Sequence, residues 1–221
     1  DFYREERWIK QELFTEFRLK SKDLRRSPFQ NIKLRTIKID DFEPDFTLIW
    51  PPQTARKTNY YGEIVYQLKN RQILKSKELK LNYIYGFNKN PNSVNCLQLN
   101  SKMEKSYNKS SDKISWRFFT GFHFNEDIAS KYSFYLSGKN GKMDYLYDNI
   151  YFARNSSDQN YLLSRQNDNS YGGFKAQDTN LRTNNWMVSN NLKIDIPKLP
   201  LGIFADFGMF QSTSQESKIN W

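Results

Sequence analysis

Residues 114–124 have the sequence ISWRFFTGFHF. In an extended chain, alternate side chains lie on opposite faces. One face of this segment is apolar and carries Ile114, Trp116, Phe118, Phe122 and Phe124. The other face is small or polar and carries Ser115, Arg117, Gly121 and His123. This period-two alternation predicts a β-strand with one apolar side.

Other segments alternate in the same way and extend the prediction to most of the chain. The clearest are residues 79–87, 186–196 and 201–209. Weaker strands are expected at residues 13–20, 30–39, 59–69, 94–104 and 132–138. Within residues 30–39 the apolar face changes between Leu34 and Ile37, which indicates a bulge or a misplaced strand.

The composition favours strands over helices. Aromatic residues make up 16% of the chain, with 14 Tyr and 17 Phe, and aromatic side chains are enriched in strands. The chain has no run of about 18 apolar residues, so its sequence predicts no membrane-spanning helix. A membrane-spanning barrel stays possible, because barrel strands alternate and leave a weak hydropathy signal. We therefore predict an all-β fold, an antiparallel transmembrane β-barrel or part of one, that occupies residues 1–221 as a single region. A soluble β-sandwich, which also alternates, is the alternative.

The connections between the predicted strands differ in length. Residues 197–200 form a short turn, whereas the stretch from about 138 to 185 is long and rich in Asn, Ser, Asp and Gly. Outer-membrane barrels have short periplasmic turns and long outer loops. We therefore expect the 138–185 loop outside and the 197–200 turn on the periplasmic side. Counting strands back from that turn places residues 40–58 on the periplasmic side as well, where they form an unusually long connection.

A barrel assigns the two faces of each strand to lipid and to the lumen. The lipid-facing candidates are Trp116, Phe118, Phe122, Trp186 and Phe207. The lumen-facing candidates are Arg117, Gly121, His123, Asp206 and Gly208. A hydrated lumen would accommodate the carboxylate of Asp206, and Gly208 would remove bulk from the same face.

Several segments, in order, resemble a known family. They are residues 24–28 (LRRSP), 32–35 (IKLR), 116–121 (WRFFTG), 142–148 (KMDYLYD), 172–175 (GGFK) and 201–208 (LGIFADFG). Together they resemble the C-terminal outer-membrane β-barrel region of Bacteroidota proteins that also carry an N-terminal gluzincin, or aminopeptidase N-like, domain. Residues 204–208 are also similar to a strand of the surface-antigen superfamily of outer-membrane assembly factors. The resemblance implies a barrel whose peptidase domain lies elsewhere in a longer protein. Because the chain begins at Asp1 without an initiator Met or a signal peptide, we expect it to be an internal fragment.

The residues needed for catalysis by the usual mechanisms are missing. A gluzincin site needs His-Glu-x-x-His and a further Glu to hold zinc and activate water, and the chain has one histidine, His123. No Gly-x-Ser-x-Gly segment or phosphate-binding loop is present. The single cysteine, Cys96, and His123 lie on different predicted strands. We therefore expect no catalytic residue, no metal site and no cofactor.

The formal net charge of +10 would suit lipopolysaccharide phosphates, anionic lipid or nucleic acid. In the context of a barrel, outer-membrane lipid and lipopolysaccharide are the favoured partners, with other outer-membrane or periplasmic proteins in a complex, and nucleic acid is not favoured. The sequence thus predicts a non-catalytic barrel of the bacterial outer membrane that anchors or surrounds a partner domain or complex. The alternatives are a module for outer-membrane protein insertion or polypeptide transport, and a soluble β-sandwich that binds a ligand.

Overall fold

The computed structural model describes residues 7–19, 28–45, 53–88, 93–107, 112–125, 128–136, 143–149, 171–174, 181–197, 199, 201–211 and 217–220. Over these residues the chain is built of strands, and its one helical element is the 3-10 turn Ser130–Tyr132. The strands are β1 (Arg7–Leu19), β2 (Phe29–Asp45), β3 (Gln53–Arg71), β4 (Lys75–Gly86), β5 (Asn95–Ser106), β6 (Lys113–His123), β7 (Phe134–Tyr135), β8 (Arg182–Thr183), β9 (Trp186–Asp195), β10 (Gly202–Gln211) and β11 (Ser217–Asn220).

Nine of these strands form one sheet in the order β1-β2-β3-β4-β5-β6-β9-β10-β11. Every neighbouring pair is antiparallel. The remaining two, β7 and β8, pair only with each other. The predicted all-β, antiparallel fold class is therefore confirmed.

The sheet has two distinct faces. The covered face, defined here by Ile37, Tyr61, Ile84, Phe119 and Met187, is packed under the segment that connects β6 to β9, and each of these five side chains is at most 1% exposed. The bare face carries most of the large apolar side chains that remain exposed. Among them are Leu34, Ile64, Tyr85, Leu97, Phe122, Leu192 and Phe207.

The prediction that residues 132–138 form a strand of the main sheet is wrong. Only Phe134 and Tyr135 are extended and paired there, and their partners are Thr183 and Arg182. Tyr132, Phe134 and Leu136 alternate because they insert into the core over the covered face, where all three are buried.

No bulge interrupts β2. Its register is continuous from Gln30 to Phe42 against β1 and from Phe29 to Asp45 against β3. Leu34 is exposed on the bare face, whereas Ile37 is buried on the covered face. The apparent change of face arises because both faces are apolar at this point: one is bare, and the other lies under the β6–β9 connection.

The long connection expected at residues 40–58 is mostly strand, since β2 and β3 pair as far as Asp45 and Gln53. Antiparallel order also moves it to the other end of the sheet. It lies at the end where β6 leaves the sheet and β9 enters it, opposite the turn at residues 196–201. The expected placement on the same side as that turn is wrong, because counting residues 132–138 as a sheet strand inverted the direction of every earlier strand.

Candidate functional site

The segment between β6 and β9 (residues 124–185) is called the insertion below, and the parts of it that the structure describes fold back over the covered face. Its described parts bury a row of large side chains against the sheet: Ile128, Tyr132, Phe134, Leu136, Tyr145, Leu146 and Phe174. The predicted long loop at about residues 138–185 does lie between two sheet strands. However, its described residues 143–149, 171–174 and 181–185 form a packed layer with the sheet, which the polar composition of the loop did not suggest.

Two glycines of the covered face make room for aromatic rings of the insertion. A Cβ atom at Gly121 would lie 2.6 Å from the ring of Phe134. A Cβ atom at Gly208 would lie 2.7 Å from the ring of Phe174. Real Cβ atoms do not approach carbon so closely, so a larger residue at either position would push the ring away. The glycines expected to face a lumen thus lie directly beneath the insertion.

Three tyrosines join the insertion to β3 in the centre of the molecule. The hydroxyl oxygens of Tyr61 and Tyr132 are 3.0 Å apart in a hydrogen bond, and the ring centroids of Tyr132 and Tyr145 are 4.7 Å apart, edge to face. Burial raises the pKa of both Tyr132 and Tyr145 above the ordinary value. The cluster is therefore neutral at physiological pH and acts as packing with one internal hydrogen bond.

Nearer β1, the covered face is charged, and Arg35 contacts acidic side chains from both the sheet and the insertion. The two terminal nitrogens of Arg35 donate to the two carboxylate oxygens of Asp148 in the insertion, at 2.8 Å and 2.6 Å. The Nε of Arg35 donates to Glu63, which also accepts a hydrogen bond from Asn82 at 2.6 Å. The Nζ of Lys10 donates to Asp148 at 2.6 Å. Glu12 and Lys33 complete this group, called the Arg35 cluster below, with Lys10, Lys33 and Arg35 facing Glu12, Glu63 and Asp148.

The cluster fixes the charge state of Asp148. Burial alone would raise the pKa of its carboxyl, but hydrogen bonds and charge attraction from Arg35 and Lys10 lower the pKa to about 2. Asp148 is thus a carboxylate at any physiological pH. Charge-assisted bidentate pairs of this kind are the strongest hydrogen bonds that side chains make.

The turn that carries Asp148 is anchored on both sides. Asp144 accepts hydrogen bonds from the backbone nitrogens of Asp148 and Asn149 at 3.3 Å and 3.0 Å. Tyr147 stacks on Trp8 with ring centroids 4.5 Å apart and donates its hydroxyl to Asp41 at 2.9 Å. Tyr147 has a φ of 52°, a left-handed conformation that costs free energy in a non-glycine residue. These contacts hold that conformation in place.

The ten candidate residues from the sequence divide between the two faces as alternation requires. The covered face holds Arg117, Gly121, His123, Asp206 and Gly208, and the bare face holds Trp116, Phe118, Phe122, Trp186 and Phe207. Two polar members of the covered face have partners. Arg117 donates to Asn191 at 3.0 Å and to the backbone oxygen of Gly173 at 2.9 Å, and Asp206 accepts from Asn191 at 2.8 Å.

His123 and Cys96 are closer than the sequence indicated. They are opposite one another in the β5–β6 register, and both are buried on the covered face. His123 stacks on Phe134 with centroids 4.3 Å apart. No group of three His, Cys, Asp or Glu side chains that could hold a metal ion lies in the part of the chain that the structure describes.

The bare face exposes many large apolar side chains. Its apolar side chains run over residues 79–87, on β4 and just after it, and over residues 114–124, on β6 and just after it. Beyond them, Lys75, Lys77 and Lys105 are exposed. Trp116 is 38% exposed and Phe122 is 43% exposed. Among the described residues, no helix is long and apolar enough to cross a membrane.

No protein-family model, no curated protein and no solved structure matches this chain.

The Arg35 cluster was not predicted from the sequence. Arg35 was one of several basic residues near the start of the chain, and its alternation with the apolar Leu34 could have placed it on the covered face. Nothing local links it to Asp148, which lies 113 residues away.

Proposed function

We propose that the chain is part of the wall of a β-barrel in the bacterial outer membrane, with the insertion as a plug on its lumen side. In this role the chain is not a catalyst. It anchors or surrounds a partner domain or complex at the membrane. The supporting observation is an inversion of polarity: the face without cover is mostly apolar, and most of the ion pairs lie on the covered face. The exceptions are the pairs of Asp40 with Lys38 and Arg56, near one end of the bare face.

A soluble protein has the opposite arrangement, with its charged side chains exposed and its apolar side chains covered. Soluble proteins rarely expose contiguous apolar patches larger than a few hundred Å², whereas this sheet exposes Leu, Ile, Phe and Trp side chains on strand after strand. A lipid-facing barrel wall exposes such side chains in a band about 25 Å tall, crossed by strands of about 9–11 residues. Residues 79–87 and 114–124 have suitable lengths, and the lysines at one end of the band suit the membrane surface.

The alternative of a soluble sandwich explains less of the sheet. In a sandwich, the apolar face packs on a second sheet and the other face meets water. Here the other face already carries the insertion and a core of buried side chains such as Phe119 and Leu136. A second sheet on the bare face would leave a central sheet enclosed on both sides, with the Arg35 cluster inside it.

The path of the insertion favours an anchor over an open pore. The insertion leaves at β6 and returns at β9, yet residues 143–149 reach as far as Lys10 on β1 and Arg35 on β2. A segment that crosses so many strands would fill much of the lumen of a closed barrel. We therefore favour an anchoring role over free passage of solutes.

The test is the behaviour of the purified chain in detergent. We expect it to partition into the detergent phase and to migrate faster on gels without boiling than after boiling, because a folded barrel resists unfolding by the detergent. A chain that stays in the aqueous phase as a folded monomer, with no change of migration on heating, would contradict the barrel.

A further inference from the structure

The Arg35 cluster contains a built receptor for a carboxylate. Arg35 presents two parallel N–H donors to the two oxygens of Asp148, and Lys10 adds a third donor at 2.6 Å. A guanidinium fork matches the geometry of a carboxylate group, whichever molecule carries it. The side chain of Arg35 is only 9% exposed, and that of Asp148 is 35% exposed. The receptor is therefore part of the wall, and its occupant can be reached from solvent.

The charges of the cluster balance only while Asp148 is present. The wall strands contribute three cations, Lys10, Lys33 and Arg35, but two carboxylates, Glu12 and Glu63. The third carboxylate comes from the insertion. If Asp148 left, the wall would keep a net positive charge and two unpaired donors on a nearly buried guanidinium. An unpaired buried charge is costly, so another anion would be drawn to the site.

We propose that Arg35 and Lys10 form a carboxylate-binding site that the chain's own Asp148 occupies, and that an acidic solute competes with Asp148 and so releases residues 143–149 from the wall. The inference rests on the proposed function, because the site then lies in a barrel lumen and Asp148 fastens the plug. The site takes a flexible solute that bears a carboxylate. Displacing Asp148 would also separate Tyr147 from Trp8, whose rings are stacked while Asp148 is bound to Arg35.

The experiment uses the dicarboxylate glutarate as the probe, with the purified chain in detergent and with calorimetry as the readout. An intramolecular competitor acts at an effective concentration in the millimolar range. Removing it in Asp148→Asn should therefore tighten glutarate binding by about tenfold or more. Adding Lys10→Gln to Asp148→Asn should weaken binding by about tenfold again, since one of three charge-assisted donors is lost. Glu104→Gln is the matched control. It removes a carboxylate paired with Lys102 at 2.7 Å on the same face and should bind glutarate as the unaltered chain does.

A second measurement does not depend on any charge variant being folded. Glutarate added to the unaltered chain should change the fluorescence of Trp8, read as the difference from Trp8→Phe, whereas chloride at equal ionic strength should not. No Trp8 response at about 100 mM glutarate, well above the effective concentration of a tethered group, would overturn the proposal. An equal response to chloride would also overturn it, because screening alone would then explain the release. Tighter binding of inorganic phosphate than of glutarate would show that the ligand class is wrong.

Failure of this proposal can be told apart from failure of the barrel. A chain that partitions into detergent and shifts on heating, but whose Asp148→Asn variant binds glutarate no more tightly, contradicts only the carboxylate site. A chain that is folded and monomeric in water contradicts the barrel, whatever it binds.

Discussion

Arg35 has an unusual position for an arginine in a strand. It is almost completely buried, yet its partners come from three separate parts of the chain: Glu12 on β1, Glu63 on β3 and Asp148 in the insertion. Desolvating a guanidinium is expensive unless its donors are used. The cost of burying Arg35 therefore depends on the insertion being docked, which couples a residue of β2 to the docking of residues 143–149.

The first prediction concerns the pH at which this contact is lost. The folded pKa of Asp148, about 2, lies below its ordinary value of 3.8. A depressed carboxyl pKa contributes stability above the ordinary value, and that contribution is lost as pH falls toward the folded value. We expect the Trp8 fluorescence difference to stay constant above about pH 5 and to change between there and pH 2. Asp148→Asn should lack this transition, and a transition near neutral pH would contradict the assignment.

At the scale of strands, alternation predicts the sheet well where one face is bare. The segments 79–87, 114–124, 186–196 and 201–209 all lie in or at the ends of sheet strands. Alternation misleads where the insertion packs. At Leu34 and Ile37 both faces are apolar, and at Tyr132 and Phe134 a short segment of the insertion alternates without joining the main sheet. Alternation shows which face of a strand is apolar, but it does not show whether lipid, another sheet or a loop covers that face.

The second prediction compares the same cation on the two faces of β6. Phe118 lies on the bare face and Ser115 on the covered face, nearer the end of the strand. An arginine near the middle of the bilayer costs about 2–4 kcal/mol, whereas a polar face tolerates it. Phe118→Arg should therefore lower the free energy of unfolding in lipid vesicles by about 2–4 kcal/mol, and Ser115→Arg should change it little. Equal losses in vesicles, measured by denaturant titration, would favour the soluble sandwich.

At the scale of the whole molecule, the sequence predicts the fold class but not the site. Strand parity needs a correct count of strands, and one false strand at residues 132–138 reversed the end assigned to residues 40–58. The contact between Arg35 and Asp148 depends on how the insertion crosses the sheet. That path is set by packing of Phe134 on Gly121 and Phe174 on Gly208, and none of these pairs is close in sequence.

The third prediction concerns which connections share an end of the sheet. Ile73, between β3 and β4, and Leu199, between β9 and β10, lie at one end, and Asn88, after β4, lies at the other. With the barrel in the outer membrane of a Gram-negative host, a membrane-impermeant thiol reagent should label Asn88→Cys on intact cells. It should label Ile73→Cys and Leu199→Cys only after lysis.

The unaltered chain, whose Cys96 is buried, supplies the background for this labelling. The reverse pattern would invert the orientation, and different behaviour of Ile73→Cys and Leu199→Cys would contradict the strand order itself.

The pairing of β6 with β9 has a consequence for how the chain folds. Every other pair in the nine-stranded sheet joins strands that are consecutive in the chain, whereas Phe122 must find Trp186 across the whole insertion. Closing a long loop costs more entropy than closing a hairpin, and non-local pairing slows folding. We therefore expect the strands β1 to β6 and β9 to β11 to form as two separate meanders, and their joining at β6 and β9 to be the slowest step. Shortening the insertion should speed refolding even where it weakens the finished structure.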